Sequence, residues 1–420
     1  MKRSLILLIL SISLVFCLTA CDWQLAFGWL IDCDEPIDHT HEFGEWSVTE
    51  RPTSTKEGLQ ERICSCGESE TERIAKLPAG YSVGLDYKLN EDGQSYSVSG
   101  IGDCKDRVLV ITPVYDGLPV TAINRSAFAG RKNLSSVVIP DGVTSIDDYA
   151  FSGCTGLTNI EIPDSVTSIG EYAFDDCTGL KSIVIPASVK SIKNQAFSGC
   201  ENIRDVYISD MDVWCDISFG DHSSNPLCHG ADLYLNGELV SELVTPDTVT
   251  SIRSFVFYGC TSLTKIVISD NVTRIGMWAF YKCTGLASIV IPNSVISIDY
   301  RAFSDYDSLI YKEYDNAYYL GNELNPYLLL VKAKGTAITS CEIHPDTRFI
   351  LSWAFEDCEA LMSVVIPGGM AEIGVHAFED CDALADVYYA GTEEEWEKIE
   401  KNFPYDRILD RVTIHYSYAP

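Results

Sequence analysis

Along most of this chain, large apolar side chains return with one long period. Phe128, Phe151, Phe174 and Phe197 stand 23 residues apart, the spacing resumes at Phe257, Phe280 and Phe303, and it returns at Phe355 and Phe378. Alanine precedes eight of these nine phenylalanines, with Val256 the exception. Self-similarity at a fixed period of this size is the signature of a repeat architecture, and the wider gaps after Phe197 and Phe303 mark lengthened repeats.

In the unit 157–179, Leu157, Ile160 and Ile162 fall at strand spacing and Pro163 ends the strand. Val166 to Ile169 makes a second short strand, after which Gly170 turns the chain. Ala173, Phe174 and Cys177 suit one tight helical turn that drops the ring inward. So few apolar side chains cannot offset the ordering of a whole unit, so a unit cannot fold alone. Stacked units share strand hydrogen bonds and both apolar faces, which predicts a capped solenoid.

The pattern Leu-x-x-Ile-x-Ile-Pro-x-x-Val-x-x-Ile-x-x-x-Ala-Phe-x-x-Cys resembles the BspA-like leucine-rich repeat of bacterial surface proteins, from about Tyr81 to Tyr416. The resemblance implies an α+β repeat solenoid with coils of 23 residues, short parallel strands, single helical turns, and β-rich caps and inserts. It also implies a surface-exposed binding or adhesion protein, with a ligand that varies among members.

Cysteine follows the phenylalanine by three residues at Cys154, Cys177, Cys200, Cys260, Cys283, Cys358 and Cys381, while Arg131 and Tyr306 replace it in two units. Adjacent coils bring such residues within disulfide reach, but their side chains point in parallel, so the expectation is a small buried thiol in a fixed slot. Residues 81–120 alternate as a hairpin with a turn at Asp92-Gly93 and are expected to form an N-terminal β cap. The solenoid is placed at 121–385, with extended inserts at 205–245 and 310–348, and a C-terminal cap at 386–420. The first insert and the C-terminal cap resemble each other: Asp205-Val206-Tyr207 and Asp386-Val387-Tyr388 each precede one tryptophan, Trp214 or Trp396, expected to brace the stack. In the other insert, Tyr314, Tyr318, Tyr319 and Tyr327 suit strand pairs that extend the stack.

The N-terminus is different. Lys2-Arg3, an apolar stretch from Leu5 to Phe16 and Leu18-Thr19-Ala20-Cys21 read as a signal peptide over residues 1–20. Its end resembles a bacterial lipobox, which implies lipid attachment at Cys21 and contact with the membrane through that anchor only. Residues 21–38 read as an acidic tether, and 39–80 as a small module resembling those with His, Gly-Glu-Trp and paired cysteines that accompany bacterial surface repeats. His39, His41, Cys64 and Cys66 could close a structural zinc site there, although only one residue separates the two cysteines. No other cofactor is expected. Cys215, His222, Cys228 and His229 match no zinc spacing.

Composition narrows the function. The chain has 420 residues with 30 Lys+Arg against 61 Asp+Glu, a formal charge of −31, and such a surface repels phosphate backbones. Nucleic acid is therefore excluded as a partner. No nucleophile elbow, zinc-protease helix or phosphate-cradling loop occurs, so no catalysis is expected. What a solenoid presents is a long face. Between the inward strand positions lie Val138, Glu161, Val184, Tyr207, Val267, Val290, Val365 and Tyr388, which in-register stacking would align at ~4.8 Å per coil. This stripe is the expected binding face of a lipid-anchored protein on the extracellular face of the bacterial membrane. Its ligand is expected to be an extracellular protein, or alternatively a glycan, and an extracellular hydrolase is the remaining alternative function.

Overall fold

The structure, a computed structural model, describes residues 42–44, 46–50, 52, 56–76, 80–303, 308–401 and 408–419. Cys21, His39 and His41 lie outside the described residues. The chain divides into two compact units, one of Met1–Glu45 and Arg62–Ser69, the other of Trp46–Glu61 and Glu70–Pro420. In the first, Phe43 bridges Cys64 and Gly44 N donates to Ile63 O at 3.1 Å. Arg62 lies over the Phe43 ring, 5.0 Å from its centre. The second unit opens with an antiparallel pairing of Ser47 and Val48 against Glu61 and Gln60, and Gln60 Nε2 donates to Glu72 Oε2 at 3.1 Å.

From residue 80 onward the second unit is a β-solenoid of about 13 turns. Each regular coil contributes two short strands that pair in parallel with equivalents one period away, although the first-strand ladder breaks between Asn159–Glu161 and Ser182–Val184. Ser136–Val138 lies against Asn159–Glu161. On the other side, Ser145–Ile146, Ser168–Ile169 and Ser191–Ile192 run in step with no register slip. Alternation does the sorting: Val137, Ile160 and Ile183 are buried while their strand neighbours Val138, Glu161 and Val184 face out. Threonines on the second strand add a further ladder, Thr167 Oγ1 donating to Thr144 O and Thr273 Oγ1 to Thr250 O, both at 3.2 Å.

The corner that closes each coil explains the Ala-Phe pair. Phe128, Phe151, Phe174 and Phe197 stack with centres 5.3, 5.4 and 5.3 Å apart. Phe257, Phe280 and Phe303 repeat the stack at 5.4 Å, and Phe355 and Phe378 at 5.1 Å. The thiol three residues later is buried, and at Cys154, Cys177, Cys200, Cys283 and Cys381 it donates to the phenylalanine carbonyl of the preceding coil, whereas Cys260 meets Ser262 Oγ and Cys358 faces Gly335 O. Cys154 reaches Phe128 O at 3.1 Å, Cys200 reaches Phe174 O at 3.0 Å and Cys283 reaches Phe257 O at 3.0 Å. Among the described residues, the positions two before and two after these rings take left-handed backbone, so tight is the corner. Tyr149, Tyr172, Trp278 and Trp353 do so two residues before the ring, and Gly130, Gly153, Asp176 and Lys282 two residues after.

The caps and inserts continue the ladder instead of merely covering it. Asp86–Leu89 and Tyr96–Gly100 form the antiparallel hairpin expected from the alternation. The second of these strands also pairs in parallel with Leu118–Ile123, so the solenoid ladder already runs through 81–120. The two tryptophan segments share a strand, short helix, strand order: Asp205–Ile208, Met211–Asp216 and Ser218–Phe219 in one, Asp386–Tyr389, Glu393–Lys398 and Glu400–Lys401 in the other. Trp214 and Trp396 are buried, and Trp214 Nε1 donates to Val256 O at 3.2 Å. The third insert pairs Lys312–Tyr314 with Ala317–Leu320 and that strand with Leu329–Ala333, which returns to the parallel ladder at Phe349–Ile350. Its Tyr319 is buried, a packing role. No helix among the described residues is long and apolar enough to cross a membrane.

Candidate ligand-binding face

The outward strand positions fall into four in-register runs. Val110, Val138 and Glu161 make the first; Val184, Tyr207 and Tyr234 the second. Val244, Val267 and Val290 form the third, and Glu342, Val365, Tyr388 and His415 the last. All eight residues singled out from the sequence lie on this face. Val138 is 38% exposed, Val184 52% and Val244 68%, so no described segment seals them. Glu161 is exposed as well, whereas Tyr207, Val267, Val290, Val365 and Tyr388 are half-buried.

Rigid backbone pairing holds these side chains in line, and aromatic contacts order the two ends of the insert-bearing runs. The Tyr207 and Tyr234 rings stack at 4.9 Å. Tyr388 stacks on His415 at 4.7 Å and meets Tyr418 at 4.9 Å. His415 Nε2 is 2.8 Å from Asp386 Oδ1, which fixes the imidazole edge. The Glu342 carboxylate accepts from Tyr314 OH at 3.0 Å, and this bond to a carboxylate raises the phenol above its ordinary value.

Five rail positions were missed from the sequence: Val110, Tyr234, Val244, Glu342 and His415. The signal for two of them was present, since Val244 and Glu342 stand one 23-residue period before Val267 and Val365. Tyr234 and His415 each follow the tyrosine of the Asp-Val-Tyr motif by 27 residues, the longer coil that both tryptophan segments share.

A second aromatic column lies on the corner, built from the left-handed residues before each phenylalanine. Tyr149 and Tyr172 stack at 4.9 Å with the Arg125 guanidinium over Tyr149, and Trp353 stacks on His376 at 4.4 Å. His222, an exposed residue, packs its ring 5.6 Å from Trp278.

For metals, no group of three or more His, Cys, Asp or Glu side chains comes together among the described residues. Cys64 is buried while Cys66 is exposed. Burial pushes the Cys215 and Cys228 thiols up to about 12, which disfavours the thiolate a metal needs.

The family model described as BspA type leucine rich repeat region matches residues 121–220, 230–322 and 333–415, in 6 copies. Among solved structures, a leucine-rich repeat protein of T. pallidum is 26% identical, with 55% of this chain and 88% of that one covered and a TM-score of 0.35. A leucine rich cell surface protein of Faecalibacterium prausnitzii is 24% identical over 76% of this chain and 97% of its own, with a TM-score of 0.37. The pneumococcal vaccine antigen PcpA is 16% identical over 80% and 96%, with a TM-score of 0.34. No curated protein matches the chain.

Proposed function

This chain belongs to the BspA-type leucine-rich repeat family, and we propose from that premise that it is a lipid-anchored surface protein whose outward strand rail binds an extracellular protein. The observation that carries the reading is the set of exposed apolar positions Val138, Val184 and Val244, one on each of three in-register runs, left in solvent by a fold that buries their strand neighbours. Export and anchoring rest on the apolar leader and on Cys21 after Leu18-Thr19-Ala20. His39, His41, Cys64 and Cys66 are proposed as a structural zinc set, which elemental analysis of the purified chain would remove by finding no zinc. The reading assigns the protein no chemical step.

A glycan is the second reading, favoured by the aromatic pairs Tyr207–Tyr234 and Tyr388–His415, whose faces suit sugar rings. The experiment is a binding assay of the exported chain against surface-extracted proteins and against glycans in parallel. Val184→Asp and Val290→Asp should each weaken protein capture at least about tenfold, since a charge desolvated in an apolar contact costs more than 1.4 kcal/mol. Unchanged capture would remove the rail from the function. Because Val184 is more than half exposed, its replacement should leave the fold within about 0.5 kcal/mol.

A further inference from the structure

A cleft of about 790 Å³ opens where the N-terminal cap meets the first phenylalanine coil, between the loops 101–107 and 130–134. Here no earlier phenylalanine coil exists to fill the corner, and the loop after Gly100 takes its place. Arg131 stands in the slot that later coils give to a buried thiol, and at this end it is exposed. Lys105, Arg107 and Lys132 line the same cleft and are exposed too. None of the four has a carboxylate partner among the described residues, whereas Arg125 on the same coil and Arg253 and Arg274 on later ones are each paired with an aspartate.

One carboxylate, Asp106, lines the cleft. Arg107 is pinned across the opening, its Nε donating to Asn133 O at 3.3 Å while its own carbonyl accepts from Ser135 N at 2.7 Å. Two guanidinium groups and two ammonium groups are thus gathered around one concave space. Guanidinium forks match the paired oxygens of phosphate and sulfate, and ammonium groups add charge without demanding an angle.

We propose that this cleft binds a phosphate or sulfate ester carried on an otherwise neutral ligand. The carrier must be neutral because the whole chain is at −31, and a long polyanion would meet repulsion beyond the cleft. The space exceeds that of a bare ion and falls within the range of small-molecule sites, roughly 300–1,000 Å³. The site is distinct from the valine rail and independent of what the rail binds.

The test is a titration of the full chain at low ionic strength with glucose 6-phosphate, with glucose 6-sulfate and with glucose. Both esters, or one of them, should bind with glucose inert, and the tighter ester identifies which oxyanion the site favours. Arg131→Glu combined with Lys132→Glu should weaken that binding at least about tenfold, as should a rise in salt that shortens the screening length. Lys190→Glu, on the second-strand face, should leave it unchanged. Binding that survives the double reversal, or esters that bind no better than glucose, would overturn the proposal. An unchanged unfolding midpoint in the double variant would confirm that it remains folded, as expected for two exposed side chains.

Discussion

The Cys177 thiol donates to the Phe151 carbonyl at 3.2 Å, across 26 residues of sequence and one turn of the solenoid. The same bond recurs from Cys381 to Phe355 O at 3.1 Å. In these coils the thiol is a small buried second donor to a corner carbonyl that already accepts the backbone N–H three residues further on.

This role has a pH signature. Burial pushes the Cys154 and Cys260 thiols up to about 11 from an ordinary 9.0, and Cys177 and Cys283 are raised as well. The unfolded chain releases these protons first, so above pH 9 the native state holds more of them and stability falls as pH rises. Their contribution is complete below pH 9 and is lost through about pH 11. Urea unfolding across that window should show a falling midpoint, with a shallower fall in a Cys154→Ala, Cys260→Ala variant. Identical slopes in the two proteins would contradict the buried ladder.

The phenylalanine column should be the costliest place to cut. Phe174 packs between Phe151 and Phe197 with no exposure, so Phe174→Ala should destabilise by about 3–5 kcal/mol, and Phe174→Leu by clearly less. Because each coil is stable only through its neighbours, hydrogen exchange should quicken in the coils on both sides as well as at the site. A loss below about 1 kcal/mol by denaturant titration would mean that the ring is not packed.

Backbone handedness gives a paired comparison. Gly130 has φ +70° with nothing within 4 Å of an added Cβ, so Gly130→Ala should cost only the left-handed strain, about 1–2 kcal/mol. Gly199, at φ +67°, would add a clash with the Asp176 carboxylate and should cost more. Placing Asp176→Gly beneath Gly199→Ala should recover the excess, which a double-mutant cycle of unfolding free energies measures directly.

The 23-residue period, the phenylalanine stack, the buried thiol slot and the outward valines were all legible in the sequence. Each depends on one residue type at one offset, and stacking converts that offset into an axis. The left-handed corner was not legible. Glycine or asparagine normally advertises such a backbone, yet Tyr149, Tyr172, Trp278 and Trp353 occupy it here, stabilised by ring contacts that only the assembled stack provides. The cationic cleft was equally hidden. Lys105 and Arg107 are far in sequence from Arg131 and Lys132, and Arg131 showed only as a break in the cysteine column.

The absence of register slips between coils such as Ser168–Ile169 and Ser191–Ile192 also constrains how the gene for such a protein can change in length. Losing one residue from a regular turn would swing its inward isoleucine toward solvent and misalign every rung beyond it. Gaining or losing a full turn leaves each remaining rung with an equivalent partner. Duplication and excision of whole turns are thus the neutral moves, and they make the reach of the exposed row adjustable in steps without redesigning a single interior contact.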